Sequence, residues 1–387
     1  QRTADIRSQP FAALVASAEL PPAAHPTSRL LFPWNPDMPL LTTTIGSFPK
    51  PDYLPMPDWF RNSPSMVDPT RPYEEFRRAQ RTEDLEALFA RAARDVIGDQ
   101  ISAGIDVLTD GEVRRENYIH YHCRHLDGID FTHLTKKAMR SGTWEGKVPT
   151  VTGPIRAREH FLPHDWRVAQ QATKHPVKVT LPGPMTITNS TANAYYADEK
   201  TLGADLAEAI NAEIKALADA GCRWIQVDEP VFAREPEKAL AFGVENLERC
   251  FHNIPDHVVR TMHMCCGYPD RLDNEDYPKA APEAYFEIAP AIDASCIQAV
   301  SIEDAHRNNE PTLLERFGNT KVIFGVVAIA RSRVEPVDEI RARLATALEH
   351  IDADRIIVAP DCGLGMLDRE TAIAKLRNLT AAASMFG

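Results

Sequence analysis

Short β-like runs alternating with helical stretches recur along this 387-residue chain, and their number constrains the fold more than any single motif. Apolar, β-prone runs stand at 41–45, 104–108, 177–181, 223–227, 258–263, 297–302, 321–327 and 355–359. Helical patterns lie between them, among others at 82–103, 204–220, 281–292, 337–350 and 369–382. Such alternation demands parallel strands, because a parallel neighbour needs a long crossover and a helix is the usual one. Eight units predict an α/β fold of the (β/α)8 TIM-barrel type, with a doubly wound open sheet as the alternative. Two segments exceed a minimal barrel. Residues 1–35 read as an N-terminal arm rich in Ala and Pro, leaving 36–387 for the barrel. Within it, 113–176 form a long insertion after the second strand, with aromatics, histidines and the turn-like stretch RSGTWEGKVP. A long loop of that kind usually covers an active site.

Composition limits the function classes. At 44% hydrophobic and 25% charged residues the chain can bury a large core. A net charge of −12 speaks against nucleic acid, whose phosphates are held by clustered Lys and Arg. No run of about 18 apolar residues or signal-like leader is present, so no membrane partner is expected. Seven cysteines without framework spacing suit a reducing, cytoplasmic setting.

In TIM barrels the reactive side chains sit at the C-terminal ends of the strands. Polar residues gather there in this chain: Gly46-Ser47 after the first run, Asp110-Gly111-Glu112 after the second, and Asp228-Glu229-Pro230 after the fourth. His263 and Cys265 follow at the fifth, Glu303 and Asp304 at the sixth, Asp361 and Cys362 at the eighth. Residues i and i+2 of a strand share a face, so the imidazole of His263 and the thiol of Cys265 can meet one ion. Glu303 and Cys362 would complete a four-ligand set from neighbouring strand ends. Two thiolates, one imidazole and one exchangeable carboxylate favour Zn2+, and a thiol that joins such an ion is held as thiolate. The indicated reaction is alkyl transfer to sulfur. A closed, purely structural zinc site is the alternative on ligand type alone. Cys266 should point the other way and pack.

The segments TTTIGSFPKP, DGE, WIQVDEP, HMC, SIE and APDCGLG, in this order, resemble the catalytic domain of the cobalamin-independent methionine synthase family. The resemblance spans roughly residues 40–380 and implies zinc-dependent methyl transfer to homocysteine, giving methionine. By it, His263, Cys265, Glu303 and Cys362 are the zinc ligands. Ile45, Gly46, Ser47, Glu112 and Asp228 match positions that hold the amino-acid end of homocysteine, and the chemistry agrees, since an ammonium group wants carboxylates.

Departures from the family pattern concern the other substrate. The chain lacks room for the family's second, degenerate barrel and looks like a core-only branch. Where the family has a Trp that stacks on the folate pterin, GPMTITNST places Ser190. Where it has the histidine that protonates the folate leaving nitrogen, and that histidine's acidic partner, GVVAIARSR places Ala330 and Ala328, with Arg331 and Arg333 close by. A donor whose leaving group needs no proton, such as a methyl-corrinoid, or a methyl donor of another kind, would fit both losses; methyl-folate remains the family's own donor, and a helper protein has a place in either scheme. His306, just past the sixth strand, is the candidate replacement acid. His120, His122 and Cys123 have metal-like spacing but no further ligand, which favours a packing role. Two other functions compete. One is alkyl transfer to another thiol, as in the similar epoxyalkane:coenzyme M transferases, where Arg114, Arg115, Arg331 or Arg333 would hold a sulfonate. The other is a non-catalytic zinc-binding subunit.

Overall fold

A computed structural model of the chain describes residues 39–60, 70–139, 144–269, 271–274 and 279–386. The expected arm, 1–35, lies outside these residues.

Seven parallel strands form one sheet: β1 (Leu108–Thr109), β4 (Val177–Pro182), β6 (Trp224–Asp228), β7 (Val259–Met264), β8 (Ala299–Ile302), β9 (Lys321–Val327) and β10 (Ile356–Pro360), side by side in that order. The main helices between and around them are α1 (Thr82–Ser102), α2 (Tyr118–Cys123), α3 (Leu162–Gln170), α4 (Pro184–Ser190), α5 (Glu199–Ala220), α6 (Val244–Cys250), α7 (Glu283–Asp293), α8 (Val337–Leu348) and α9 (Arg369–Ala383). The architecture is a curled, TIM-barrel-like α/β fold. The expected run at 41–45 is the seam: it makes two isolated parallel bridges, Thr42 to Val358 and Thr43 to Val107, which join the two outer strands of the sheet.

The strands form here because their apolar residues are buried on both faces. β4, β6, β8 and β10 are buried along their whole length. Outward-facing positions pack under the helices in one large core. A second, smaller cluster comprises Ile45, Val107, Trp224, Ala299, Ile323, Ile357 and Ala359, contributed by β6, β8, β9, β10, the residue before β1 and the seam, and fills the middle of the barrel. Period-2 alternation then carries the inward set upward: Trp224, Gln226 and Asp228 on β6; Thr261, His263 and then Cys265 on and just beyond β7; Ala299, Ser301 and then Glu303 at β8. Trp224 Nε1 donates to Thr261 Oγ1 at 2.7 Å, which satisfies the one polar atom of this large buried ring.

The segment expected as a long loop is instead structured. It contains α2, the antiparallel pair β2 (Leu126–Met139) and β3 (Trp144–Ala157), and α3. A short strand β5 (Ala192–Asn193) adds to β3 in parallel, and Lys137 Nζ donates to the carbonyls of Thr188 and Thr191 at 3.1 and 2.6 Å. The hairpin is thus pinned to the end of α4. Among the described residues no helix is long and apolar enough to cross a membrane.

Candidate metal centre and thiol pocket

His263 closes the inward face of β7, and Cys265 follows one residue past the strand. Cys362 stands two residues beyond β10. Strand alternation and the barrel's curvature bring the three together, with their donor atoms all within 4.8 Å of one another and all three residues buried. His263 Nε2 lies 3.3 Å from Cys362 Sγ, and the two sulfurs are 3.7 Å apart. The other imidazole nitrogen, Nδ1, is 2.9 Å from Ser301 Oγ, an arrangement that leaves Nε2 for an ion.

Without a cation this cluster is poorly balanced. The Cys362 thiol beside it, and then burial, push Cys265 well above the usual thiol range. Burial works against a charged imidazole at His263, but Cys265 and Asp228 outweigh it and leave His263 above its ordinary value. A divalent ion would remove both strains by drawing the thiol protons off. The donor set therefore fits zinc.

Glu303 is not among the three clustered residues. It follows β8 directly and is 1% exposed. Its Oε2 accepts the Cys266 N–H at 3.3 Å, next to Cys265, while Oε1 is buried with no hydrogen-bond partner and has Arg307 Nη1 at 3.9 Å. A buried, hydrogen-bond-deficient carboxylate oxygen is what a fourth ligand looks like before its ion is counted. Cys266 stays out of the cluster; its sulfur accepts from Arg307 Nη1 at 2.6 Å.

The residues expected to hold an amino acid line the same rim. Asp228, last of β6, pairs in register with His263. Its carboxyl is pushed up to about 6 by burial, with Glu112 adding and His263, Gln226 and Lys178 opposing. Glu112 accepts from Thr180 Oγ1 at 2.8 Å and Arg115 Nη1 at 3.2 Å. Its φ of 55° is left-handed, a conformation that costs a non-glycine residue about 1 kcal/mol or more and that aims the carboxylate inward. Gly46 is required beside it, because a Cβ there would come within 2.7 Å of Glu112 Oε1. Ile45 is buried, and Ser47 Oγ lies 3.5 Å from the hydroxyl of Tyr268, which donates to the Gly363 carbonyl at 3.0 Å.

Several neighbours were not foreseen. Trp59, Phe60, Tyr118 and Tyr268 form one aromatic group, with ring centroids 4.5 to 5.8 Å apart. Tyr118 and Tyr268 both feel the charges of Cys265 and Cys362, and burial pushes both hydroxyls well above the usual phenol range. This group walls the thiols. Ser301 could have been found, since it stands two residues before Glu303 on the same face. The aromatics left no such signal, because they come from segments with no strand or helix period.

Past Glu303, the expected acid His306 sits in a setting that disfavours its charged form. His306 Nε2 accepts the backbone N–H of Ala330 at 3.1 Å. Burial first, then Lys279, Arg331 and Lys375, press its pKa down to about 3. The ring is neutral at physiological pH, which argues against His306 as proton donor. Arg114 is taken up by Glu86 and Asp165, and Arg115 by Glu112 and Thr180, so neither offers an open sulfonate site. His122 is tied to the Tyr118 carbonyl at 2.7 Å and Cys123 is fully buried; with His120 they form no metal cluster among the described residues.

Fold and site together define a TIM-barrel-like protein with a His/Cys/Cys cluster at its strand ends that could hold a metal ion. The chain belongs to the family of cobalamin-independent synthases, catalytic domain, which it matches over residues 40–385, and is thus a methyltransferase of the methionine-synthase type. It is 32% identical to the methionine synthase of Saccharolobus solfataricus over 88% of this chain and 92% of that one. To the methionine synthase of Sulfolobus acidocaldarius it is 29% identical, over 88% and 90%. Among solved structures it is similar to a B12-independent methionine synthase from Shewanella sp. W3-18-1 in complex with selenomethionine, with a TM-score of 0.78, 29% identity and coverage of 90% and 97%. A methyltransferase from Methanosarcina mazei shares the fold at 14% identity, with a TM-score of 0.59.

Proposed function

We propose that this chain, an eight-unit (β/α)8 barrel, transfers a methyl group to the thiol of homocysteine, forming methionine, at a zinc site of His263, Cys265, Cys362 and Glu303. The observation that carries it is the convergence of one imidazole and two thiols within 4.8 Å beside Asp228 on the neighbouring strand. The methionine synthase names of the relatives, and the selenomethionine bound by the Shewanella protein, support the acceptor.

Held by His263, Cys265, Cys362 and Glu303, a zinc ion would lower the pKa of a joining thiol and so favour its thiolate. The chain does the rest. Asp228, Glu112 and the Ile45 carbonyl receive the acceptor's ammonium, and Ser47 with the backbone N–H of Gly46 meets its carboxylate. Ser301 fixes the His263 ring. Trp59, Phe60, Tyr118 and Tyr268 exclude water from the sulfur, which keeps it nucleophilic.

The donor is one whose leaving group departs without a proton. Ala328 and Ala330 are buried and carry no acid, and His306 is neutral and already accepting a hydrogen bond. Ser190, at the end of α4, gives no ring for a pterin to stack on. A methyl-corrinoid or a methylated onium compound meets these conditions; methyl-folate does not.

Zinc-loaded protein, deuteromethyl-labelled donors of each kind and homocysteine test this by mass spectrometry of methionine. Labelled methionine from a corrinoid or onium donor is expected. Methionine from methyl-folate alone would overturn the donor reading, and thioether from an epoxide and another thiol, with no methionine from any donor, would overturn the acceptor reading.

A further inference from the structure

Lys178 is the second residue of β4, in the run VKVTLP, and is 1% exposed. A lysine so placed must find acceptors or give up its charge. Burial draws its pKa down to about 7, with Asp228 opposing. Its Nζ donates to Gln226 Oε1 at 2.6 Å. The short contact has Nζ donating, and in its ammonium form the lysine can only donate, which holds the Gln226 amide with oxygen toward β4 and NH2 away from it. That NH2 donates to Asp228 Oδ1 at 2.7 Å and to the Ile45 carbonyl at 3.1 Å. Were the amide to turn over, its oxygen would face two acceptors and repel both. The three side chains are inward neighbours, since Thr180 pairs in register with Gln226 and Pro182 with Asp228.

We propose that Lys178 is a positioning residue for the ammonium end of the thiol acceptor, acting through Gln226 to orient Asp228 and the Ile45 carbonyl. The proposal rests on the homocysteine reading and extends it to a side chain that touches neither the metal cluster nor the acceptor. The chain of donors runs one way, from ammonium to amide to carboxylate. Asp228 Oδ1 is thereby occupied by a donor, and the carboxylate is presented in one orientation to an incoming ammonium. The positive charge of Lys178 also offsets part of the cost of burying Asp228 near Glu112, the carboxylate that raises it.

The test compares calorimetric binding of homocysteine and of its desamino analogue, 4-mercaptobutyrate, to zinc-loaded wild type, Lys178→Met and Lys178→Gln. Lys178→Met is expected to weaken homocysteine about tenfold or more, leave 4-mercaptobutyrate within about twofold, and keep its zinc. Lys178→Gln, whose amide can still donate to Gln226 Oε1, should recover most of the homocysteine affinity. Should Lys178→Met fail to fold, the double variant Lys178→Met/Gln226→Met removes both polar groups together and is expected to show the same selective loss. Unchanged homocysteine binding in the folded variant, or equal weakening of both thiols, would overturn the role of Lys178 alone. A wild type that binds zinc but neither thiol would instead overturn the acceptor reading, and the role of Lys178 with it.

Discussion

Two arcs of the same rim use buried ionisable groups in opposite ways. From β7 across to β10, the imidazole and thiols of His263, Cys265 and Cys362 converge on one another's ligand atoms, with Asp228 beside His263 on β6. In the loops that follow β8 and β9, beyond Glu303, and at Asp361 just past β10, such groups are spent on the backbone. Asp361 accepts three successive N–H groups of Asp304, Ala305 and His306, at 2.9, 2.9 and 2.7 Å. Glu335, paired with buried Lys375 at 2.7 Å, accepts the Ala328 N–H at 2.9 Å, and His306 accepts that of Ala330. Residue type is similar in both arcs; what differs is whether a polar atom already has a partner. The first arc is built to receive a ligand, whereas the second is built to hold its own loops still.

The contrast breaks if substitutions in the two arcs behave alike. The largest effect is expected for Cys362→Ala, which should lose bound zinc and methionine formation together by more than about 100-fold, above the range that outer partners of a ligand command. Metal analysis showing full zinc would remove Cys362 from the set. Ser301→Ala leaves every ligand in place but frees the His263 ring, and zinc affinity measured by chelator competition should fall about 10- to 100-fold. An unchanged affinity would mean that packing, not Ser301, orients the imidazole. Asp228→Asn should retain zinc and weaken homocysteine about tenfold, the loss of one charge-assisted hydrogen bond. His306→Gln, in the second arc, should alter kcat by less than about threefold and leave its pH profile unshifted, because a ring with a pKa of about 3 is uncharged at neutral pH. A loss near the ~100-fold that general acids contribute would restore it as a catalyst.

Most of the barrel was legible because each strand is an apolar run whose period needs no partner to be recognised. β9 lies at the expected 321–327, and β4, β6, β7 and β10 fall within a residue of expectation at either end. The hairpin was not legible. LDGIDFTHLTKKAM and WEGKVPTVTGPIRA mix charges, Gly and Pro, and each is a strand only because the other pairs with it. In the site, His263 and Cys265 were readable from i,i+2 spacing and Cys362 from its strand end. Lys178 and Gln226 carried a signal that went unused, a polar residue at an inward position of an apolar strand. The environment of His306 was not legible, because burial and residues distant in sequence, Lys279, Arg331 and Lys375, set its protonation.

The seam at Thr42–Thr44 has a consequence for how the molecule breathes. Seven strands are bound edge to edge, but the ring is completed by only four backbone hydrogen bonds, between residues 41–44 and Val107 or Val358. Amide exchange should find this the cheapest place to open, because few bonds need break. Ile45, Gly46 and Ser47 follow directly on the seam, whereas His263 and Cys265 hang from the middle of the sheet. Transient opening there would loosen the Ile45–Ser47 side of the amino-acid cradle and, through β10, Cys362, while His263 and Cys265 stay held.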